Sequence, residues 1–472
     1  MSARVDIIGA GLAGSEAALQ LAHRGYRVRL FEMRPFVSTD VHVSDRCAEL
    51  VCSNSLKSLK SDSAAGMLKY ELTRLGSYLL CEAFDAAVPA GGALAVDREI
   101  FSERITAAID DHPLIDRVVA EVCDITPEGK LVLREPDHEE ATVLSDASDA
   151  LIVASGPLTS DTFAQSLQRL TGHEQLSFYD AAAPIVYTDS LDFDCVFSQS
   201  RYEQGAEGDY LNAPLNQEEY ERFIDALINA ECVIKKDFET KDLFQACQPI
   251  EEIARKGLNA PRFGPLKPVG LIDPRTYRRP WAVVQLRAED AHKQSYNLVG
   301  FQTNLTFPEQ RRVFRMIPGL EHAEFARYGV MHRNTFLNAP VLLSADLRLK
   351  DAPIAVPVFV AGQVSGTEGY TEAIASGLVA SLGVDAALSG KTFEPLPVET
   401  ALGSLLAYAT NPQTTDYQPM HVNFGIAQPL EMPIRNKKQR YAAYAQRGKA
   451  AIDEYAEKQG IAPLSEGRTA WI

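Results

Sequence analysis

The run Gly9-Ala10-Gly11-Leu12-Ala13-Gly14 constrains this chain more than any other feature. Its G-x-G-x-x-G spacing is a weak signal alone. Here it lies between a β-rich run, Val5 to Ile8, and a helical pattern with the small apolar face Ala17, Ala18, Leu21 and Ala22. That strand–turn–helix context is what a dinucleotide-binding turn requires. In such a turn Gly9 permits the tight bend, Gly11 lets a pyrophosphate approach the backbone at the helix N-terminus, and Gly14 lets helix and strand pack closely. The helix closes at Gly25, and a second strand, Tyr26 to Phe31, ends on Glu32, eighteen residues past Gly14. A carboxylate there suits a ribose hydroxyl and disfavours a ribose 2′-phosphate, which points to FAD or NAD and away from NADP as the resident nucleotide. The bland alternative is a tight turn with no ligand.

At 472 residues the chain is longer than one hydrophobic core usually supports, so two domains are expected. No apolar run reaches the roughly 18 residues that suggest a membrane span. The first apolar run passes straight into the glycine turn, which reads as mature fold and not as a signal peptide. Seven scattered cysteines, an odd number, do not suggest a disulfide framework, and a reducing cytoplasm fits better. The net charge of −17 argues against a chain that coats nucleic acid indiscriminately. The charge is uneven, however. Cys247 to Arg333 holds fourteen Lys/Arg against eight Asp/Glu, and Ile434 to Ala451 holds six basic residues and no acid. Basic islands on an acidic protein can steer a polyanion to one face, or can be ordinary solvated surface.

Helical patterns follow near 64–86 and 98–110, after a polar, loop-like stretch from Asp40 to Asp62. Strands are expected near 117–123 and 130–134, and Ala150 to Ala154 reads as a buried parallel strand meeting a turn. From about 185 to 330 strand-like runs alternate with Pro/Gly/Arg-rich loops, the pattern of an inserted α+β domain. The α/β pattern returns at Val356 to Gly362, and the last forty or so residues look helical and basic. The fold class is therefore α/β: a Rossmann-type domain made of residues 1–185 and 335–472, interrupted by a domain of residues 186–334. The returning strand runs into Gly362, Gln363, Gly366 and Gly369 ahead of a helix, Glu372 to Leu382. A second strand-to-helix N-terminus is what a flavoprotein uses to hold the ribityl chain and flavin ring, which favours FAD. Flavoproteins often carry Asp where Gln363 stands.

Two cysteines depart from the usual reading of a small buried hydrophobe. Cys52 lies in Leu50-Val51-Cys52-Ser53-Asn54-Ser55-Leu56-Lys57, and Cys247 lies in Phe244-Gln245-Ala246-Cys247-Gln248-Pro249-Ile250-Glu251. A thiolate near neutral pH needs such polar or cationic surroundings. No Cys/His spacing suggests zinc. Two thiols and a flavin leave two options: a redox relay, or a thiolate that adds to an electrophilic ring while the flavin handles carbon and hydride. Arg275, Arg278, Arg279 and Arg287, interleaved with Tyr277 and Trp281, would suit phosphates and base stacking, or form domain-interface ion pairs.

Several long blocks resemble the folate- and FAD-dependent tRNA uracil-5-methyltransferase family, TrmFO. They are Gly9 to Glu16 with Phe31-Glu32-Met33-Arg34-Pro35, then Leu50 to Leu56, Val88 to Arg98, Arg262 to Leu271, Tyr296 to Gln302 and Tyr328 to Thr335. The resemblance spans nearly the whole chain. It implies that FAD accepts a one-carbon unit from methylenetetrahydrofolate and passes it to C5 of a uridine in the tRNA T-arm, at position 54 in tRNA numbering, with NADPH or NADH as reductant. It also implies that Cys247 is the nucleophile that adds to C6 of the uracil, and that Cys52 is a second functional cysteine near the flavin. The segment reads Gln245-Ala246-Cys247-Gln248 where the family pattern has Glu-Gly-Cys and an apolar residue. Alternatives are methylation of ribosomal RNA, wobble-uridine modification by the longer GidA-type proteins, a small-molecule FAD oxidoreductase, and a flavin-binding protein without catalysis.

Overall fold

A computed structural model of the chain describes residues 3–461 apart from 40, 139, 174–175, 202–207, 235–247 and 415–416. Its centre is a five-stranded parallel sheet formed by β1 (Arg4–Ile8), β2 (Arg27–Glu32), β3 (Ile115–Val119), β4 (Ala150–Val153) and β5 (Val358–Val360). The spatial order is β5-β4-β1-β2-β3, and every neighbouring pair is parallel. β4 and β5 are buried along their whole length, which is why they read as continuous apolar runs with no alternation.

Helix α1 (Leu12–His23) follows β1, and helix α2 (Tyr370–Ser389) follows β5; the two pack against each other and share one apolar core with the sheet. α2 has the length and composition of a membrane span, but most of its side chains lie inside the core. The fold class is thus the Rossmann-type α/β arrangement expected, with the last strand supplied from near residue 360.

Two local expectations change. The stretch near 64–86 is not one helix but two, Ala64–Arg74 and Tyr78–Asp85, because Ser77 caps a new N-terminus by accepting the Leu80 N–H at 3.3 Å. The loop-like stretch 40–62 contains a strand, Ser55–Ser58, which pairs with Ala93–Val96. Its serines hide the strand in the sequence, and the pairing partner is nearly forty residues away.

The chain leaves this layer along Leu176–Ala181 and returns along Met331–Phe336, and the two segments pair antiparallel. Between them lies a six-stranded antiparallel sheet in the order Phe197–Ser198, Tyr210–Leu215, Ala282–Ala288, Ser295–Leu298, Ile185–Tyr187, Phe325–Arg327. Helices Gln217–Ile228 and Phe307–Phe314 contribute to a second apolar core around Phe223, Phe301 and Phe314, separate from the one beneath the parallel sheet. Polar contacts join the two parts at several places, among them Gly91 to Asp209 and Arg98 to Glu289, and one group of them gathers on residues 53–54. Asn54 donates to the Ala288 carbonyl at 3.0 Å, and Arg287 Nε donates to Asn54 Oδ1 at 2.7 Å.

Candidate active site

A cleft of about 440 Å³ opens at the carboxyl ends of β1 and β4, where an open α/β sheet binds its ligands. The glycine turn makes its floor. A Cβ on Gly14 would sit 1.9 Å from the Gly9 carbonyl oxygen, so helix and turn touch backbone to backbone. A Cβ on Gly11 would meet nothing within 4 Å, because Gly11 faces the open cleft. α1 has Gly11 as its N-cap with no side-chain cap, and α2 has Gly369 as its N-cap with none either. Both helix N-termini line the cleft, so two sets of free N–H groups and two positive dipole ends face one space.

Glu32, at the end of β2, lines the same cleft. Its carboxylate accepts the Ala10 N–H at 3.0 Å, the Arg34 N–H at 3.1 Å and Arg34 Nε at 2.8 Å. Burial alone would raise this carboxyl, but Arg34's hydrogen bonds and charge outweigh it and hold the group below the usual carboxylate range. Arg34 also reaches Glu49 at 3.1 Å, so an acid–base–acid row lines this wall. Nearby His42 is pushed down to about 4 by burial and then by Arg34's charge, and is neutral at physiological pH.

Of the residues singled out in sequence, Gly9, Gly11, Leu12, Ala13, Glu32, Gly362, Gln363, Gly369 and Cys52 all line this cleft. Ala10, Gly14 and Gly366 do not. Ala10 serves by its amide, Gly14 by packing, and Gly366 closes a short turn where its carbonyl accepts the Tyr417 hydroxyl at 3.2 Å.

Cys52 stands at the wall shared with the antiparallel sheet. Its thiol points at the Ala181 carbonyl, 3.6 Å away. The Tyr370 hydroxyl oxygen accepts both the Cys52 and the Ser53 N–H. Arg98 donates to the Leu50 carbonyl at 2.9 Å and Arg287 to Ser53 Oγ at 3.3 Å, so a guanidinium holds the loop on either side of the thiol. Arg98, half-buried, is itself paired with Glu289.

These contacts correct the expected arginine cluster. Arg287 is buried and committed to the Cys52 loop. Arg275 is tied to Asp273 at 3.0 Å, and Trp281 lies under Arg262 at 3.9 Å. Tyr277, Arg278 and Arg279 stay exposed. Cys247 lies outside the described residues. The chain after it returns to the cleft, since the Ile250 N–H donates to the carbonyl of Gln302 at 2.7 Å and Gln302 lines the cavity.

A family model described as GIDA, glucose inhibited division protein A, matches residues 4–392. A methylenetetrahydrofolate–tRNA-(uracil-5-)-methyltransferase TrmFO from Geobacter sulfurreducens is 51% identical over 96% of this chain and 99% of its own. One of the same description from Bacillus pumilus is 48% identical over 95% of this chain and 97% of its own. The chain belongs to the TrmFO family. The fold is shared more widely: Aquifex aeolicus GidA superposes with a TM-score of 0.71 at 17% identity, over 100% of this chain and 78% of that one.

In this TrmFO chain the cleft fits FAD on its own geometry. Open space faces Gly11, two uncapped helix ends face one cavity, and a buried carboxylate, Glu32, held below the usual range by Arg34, lines the same cavity. Among the other cysteines, burial pushes the Cys47 thiol up to about 11 and raises those of Cys123 and Cys232 as well, which leaves them poor nucleophiles. The sequence reading missed Tyr370, Arg98, Asp180 and Glu368. Tyr370 and Glu368 flank Gly369, a position that could have marked them.

Proposed function

We propose that this chain is a methylenetetrahydrofolate- and FAD-dependent methyltransferase that forms 5-methyluridine in the tRNA T-arm, at position 54, with NADPH or NADH as reductant. The observation that carries the reading is a thiol, Cys52, held at the wall of a flavin-sized cleft in a chain half identical to enzymes named for this reaction. FAD, when bound, supplies a ring that can carry a one-carbon unit and a hydride.

The chain's own residues do the rest. The N–H groups of Gly11, Leu12 and Ala13 take the pyrophosphate, Glu32 takes ribose hydroxyls, and Gly362, Gln363 and Gly369 border the flavin end. Cys247 is the thiolate that adds to C6 of the uracil and makes C5 nucleophilic. The target base must leave its stack to reach such a cleft. Cys52 works beside the flavin, kept in place by Tyr370, Arg98 and Arg287. Residues 1–185 and 335–472 form the FAD domain, and residues 186–334 form the domain that meets RNA. The six described cysteines are all free thiols, which suits a reducing cytoplasm.

The test is direct. Purified yellow protein is incubated with unmodified tRNA, methylenetetrahydrofolate and NADPH, and digested tRNA is examined for 5-methyluridine. Its appearance at position 54 is the expected result. Its absence, or its appearance only in ribosomal RNA, would refute the reading.

A further inference from the structure

We infer that the first half of the last described helix, Lys437–Lys458, together with the loop leading into it, is a docking surface for the phosphate backbone of the tRNA whose uridine enters the cleft. This rests on the RNA-methylating reading of the cleft. It places a second RNA contact on the FAD domain, outside residues 186–334.

The helix is anchored at one end only. Its buried residues are Gly448, Ile452, Tyr455 and Ala456, and none precedes Gly448. Gly448 lies so close to the helix Ala64–Arg74 that a Cβ there would meet Met67 Cε at 1.8 Å. Residues 437–447, about 16 Å of helix, run on past that contact. A helix half with no buried side chain gains little from packing, which is where most helical stability arises.

What this half carries is charge. Arg435, Lys437 and Lys438 are exposed, and Arg440 and Arg447 are half-buried. Ile434 to Ala451 holds no acid, and among the described residues none of these five cations forms an ion pair. Lys437, Lys438 and Arg440 also stand at the start of the helix, whose first turn has no acid, so they oppose its positive dipole end. A chain of net charge −17 thus gathers unpaired positive charge against the local preference, a conflict typical of functional surfaces. A polyanion relieves it.

The two arginines are oriented without being neutralised. Arg447 donates to the carbonyls of Gln428 and Pro429 at 2.6 and 3.0 Å, and Arg440 donates to that of Ile434 at 3.2 Å. Aromatic rings lie among the cations. Lys437 and Arg440 sit 5.3 and 5.8 Å from the Tyr441 ring centre, and Arg447 sits 5.4 Å from that of Tyr444. Both rings rest on Phe424, with centres 4.6 and 5.2 Å away. Cations interleaved with rings along one helix suit a nucleic-acid backbone and its bases. From Lys437 to Arg447 there is no aliphatic side chain larger than alanine, so a lipid surface has little to take up.

The surface is joined to the cleft. His421 lines the cavity, and the Val422 N–H donates to Glu372 Oε1 of α2 at 3.2 Å. Phe424 follows two residues later, within about 11 Å of His421 even at full extension. An RNA with one base in the cleft needs to extend only a short way to bring phosphates onto these side chains.

The test measures binding of unmodified tRNA to full-length, FAD-loaded protein by fluorescence anisotropy at a series of salt concentrations. The triple variant Arg435→Ala, Lys437→Ala, Lys438→Ala is expected to bind about 10-fold or more weakly at low salt. Its salt slope is expected to fall by about 2 to 3, as for three lost phosphate contacts. The charge-conserving triple Arg435→Lys, Lys437→Arg, Lys438→Arg is expected to keep the wild-type slope. An unchanged slope in the alanine variant would overturn the inference. So would binding of wild type, and not of that variant, to phosphatidylglycerol vesicles with the tRNA slope unchanged. Removing cations from a positive helix end is expected not to lower the urea midpoint, and a lower midpoint would give these side chains to the fold and overturn the inference. Wild type that binds tRNA with the expected slope difference but forms no 5-methyluridine would contradict the methyltransferase reading and leave this surface standing. Methylation by the alanine variant with the wild-type KM for tRNA would do the reverse.

Discussion

The hydroxyl oxygen of Tyr370 accepts the amide N–H of Cys52 at 2.7 Å and that of Ser53 at 3.0 Å. One side chain at the start of α2 thereby holds the backbone of the cysteine loop against the cleft. Tyr370→Phe strips both N–H groups of their acceptor, at about 1–3 kcal/mol for a buried donor left unpaired. It is expected to lower kcat for methyl transfer more than it raises KM for tRNA, and to speed alkylation of Cys52. Steady-state kinetics and iodoacetamide labelling check both. An unchanged kcat would mean that the loop holds itself.

Glu32 and Arg34 set a pH dependence. The folded-state pKa of Glu32 is depressed, so its contribution to stability is present above the ordinary carboxylate pKa and is lost as pH falls through the folded value. The stability gap between wild type and Glu32→Gln is thus expected to be widest near neutrality and to narrow below about pH 4. Urea midpoints of both proteins across this range measure it. Arg34→Leu, which leaves a buried carboxylate unpaired, is expected to cost about 3–5 kcal/mol at pH 7.

The two glycines of the turn separate folding from binding. Gly14→Ala places a methyl on the Gly9 carbonyl and is expected to destabilise the protein by about 1–3 kcal/mol, an overpacking cost. Gly11→Ala meets no protein atom and is expected to leave the urea midpoint of the flavin-free protein unchanged while the yellow colour is lost. Absorbance and unfolding curves on the same samples distinguish the two effects.

Cys247→Ala is expected to abolish the covalent protein–RNA adduct seen on denaturing gels and to leave flavin absorbance intact. A persisting adduct would move the nucleophile to Cys52. Arg278 and Arg279 are both exposed. Changing both to Ala is expected to weaken tRNA binding and reduce the salt slope by about 2, with flavin reduction by NADPH unaltered.

The cofactor half of the site was legible in the sequence because its physics is local. A strand, three spaced glycines, a helix and a carboxylate at the next strand end lie within thirty residues, and periodicity alone orders them. The return of the fold at β5 was legible for the same reason, as an apolar run meeting a glycine turn. The rest depends on long-range pairing. Arg287 looked like a surface cation among other arginines, yet its strand carries it under the Cys52 loop, 233 residues away in sequence. Asp180 and Glu368 had no motif at all, since only the folded chain brings both to one cavity. The strand at Ser55–Ser58 was hidden by serines, with Leu56 its only fully buried side chain.

The central claim is that this cleft delivers a folate-borne carbon to RNA and reduces it there. The most direct measurement supplies methylenetetrahydrofolate deuterated at the methylene carbon, with unlabelled NADPH and unmodified tRNA, and weighs the nucleosides by mass spectrometry. The account predicts 5-methyluridine at position 54 that keeps both methylene deuterons and gains one light hydrogen. Deuterium-free 5-methyluridine, or folate consumption with no methylated base, would contradict it.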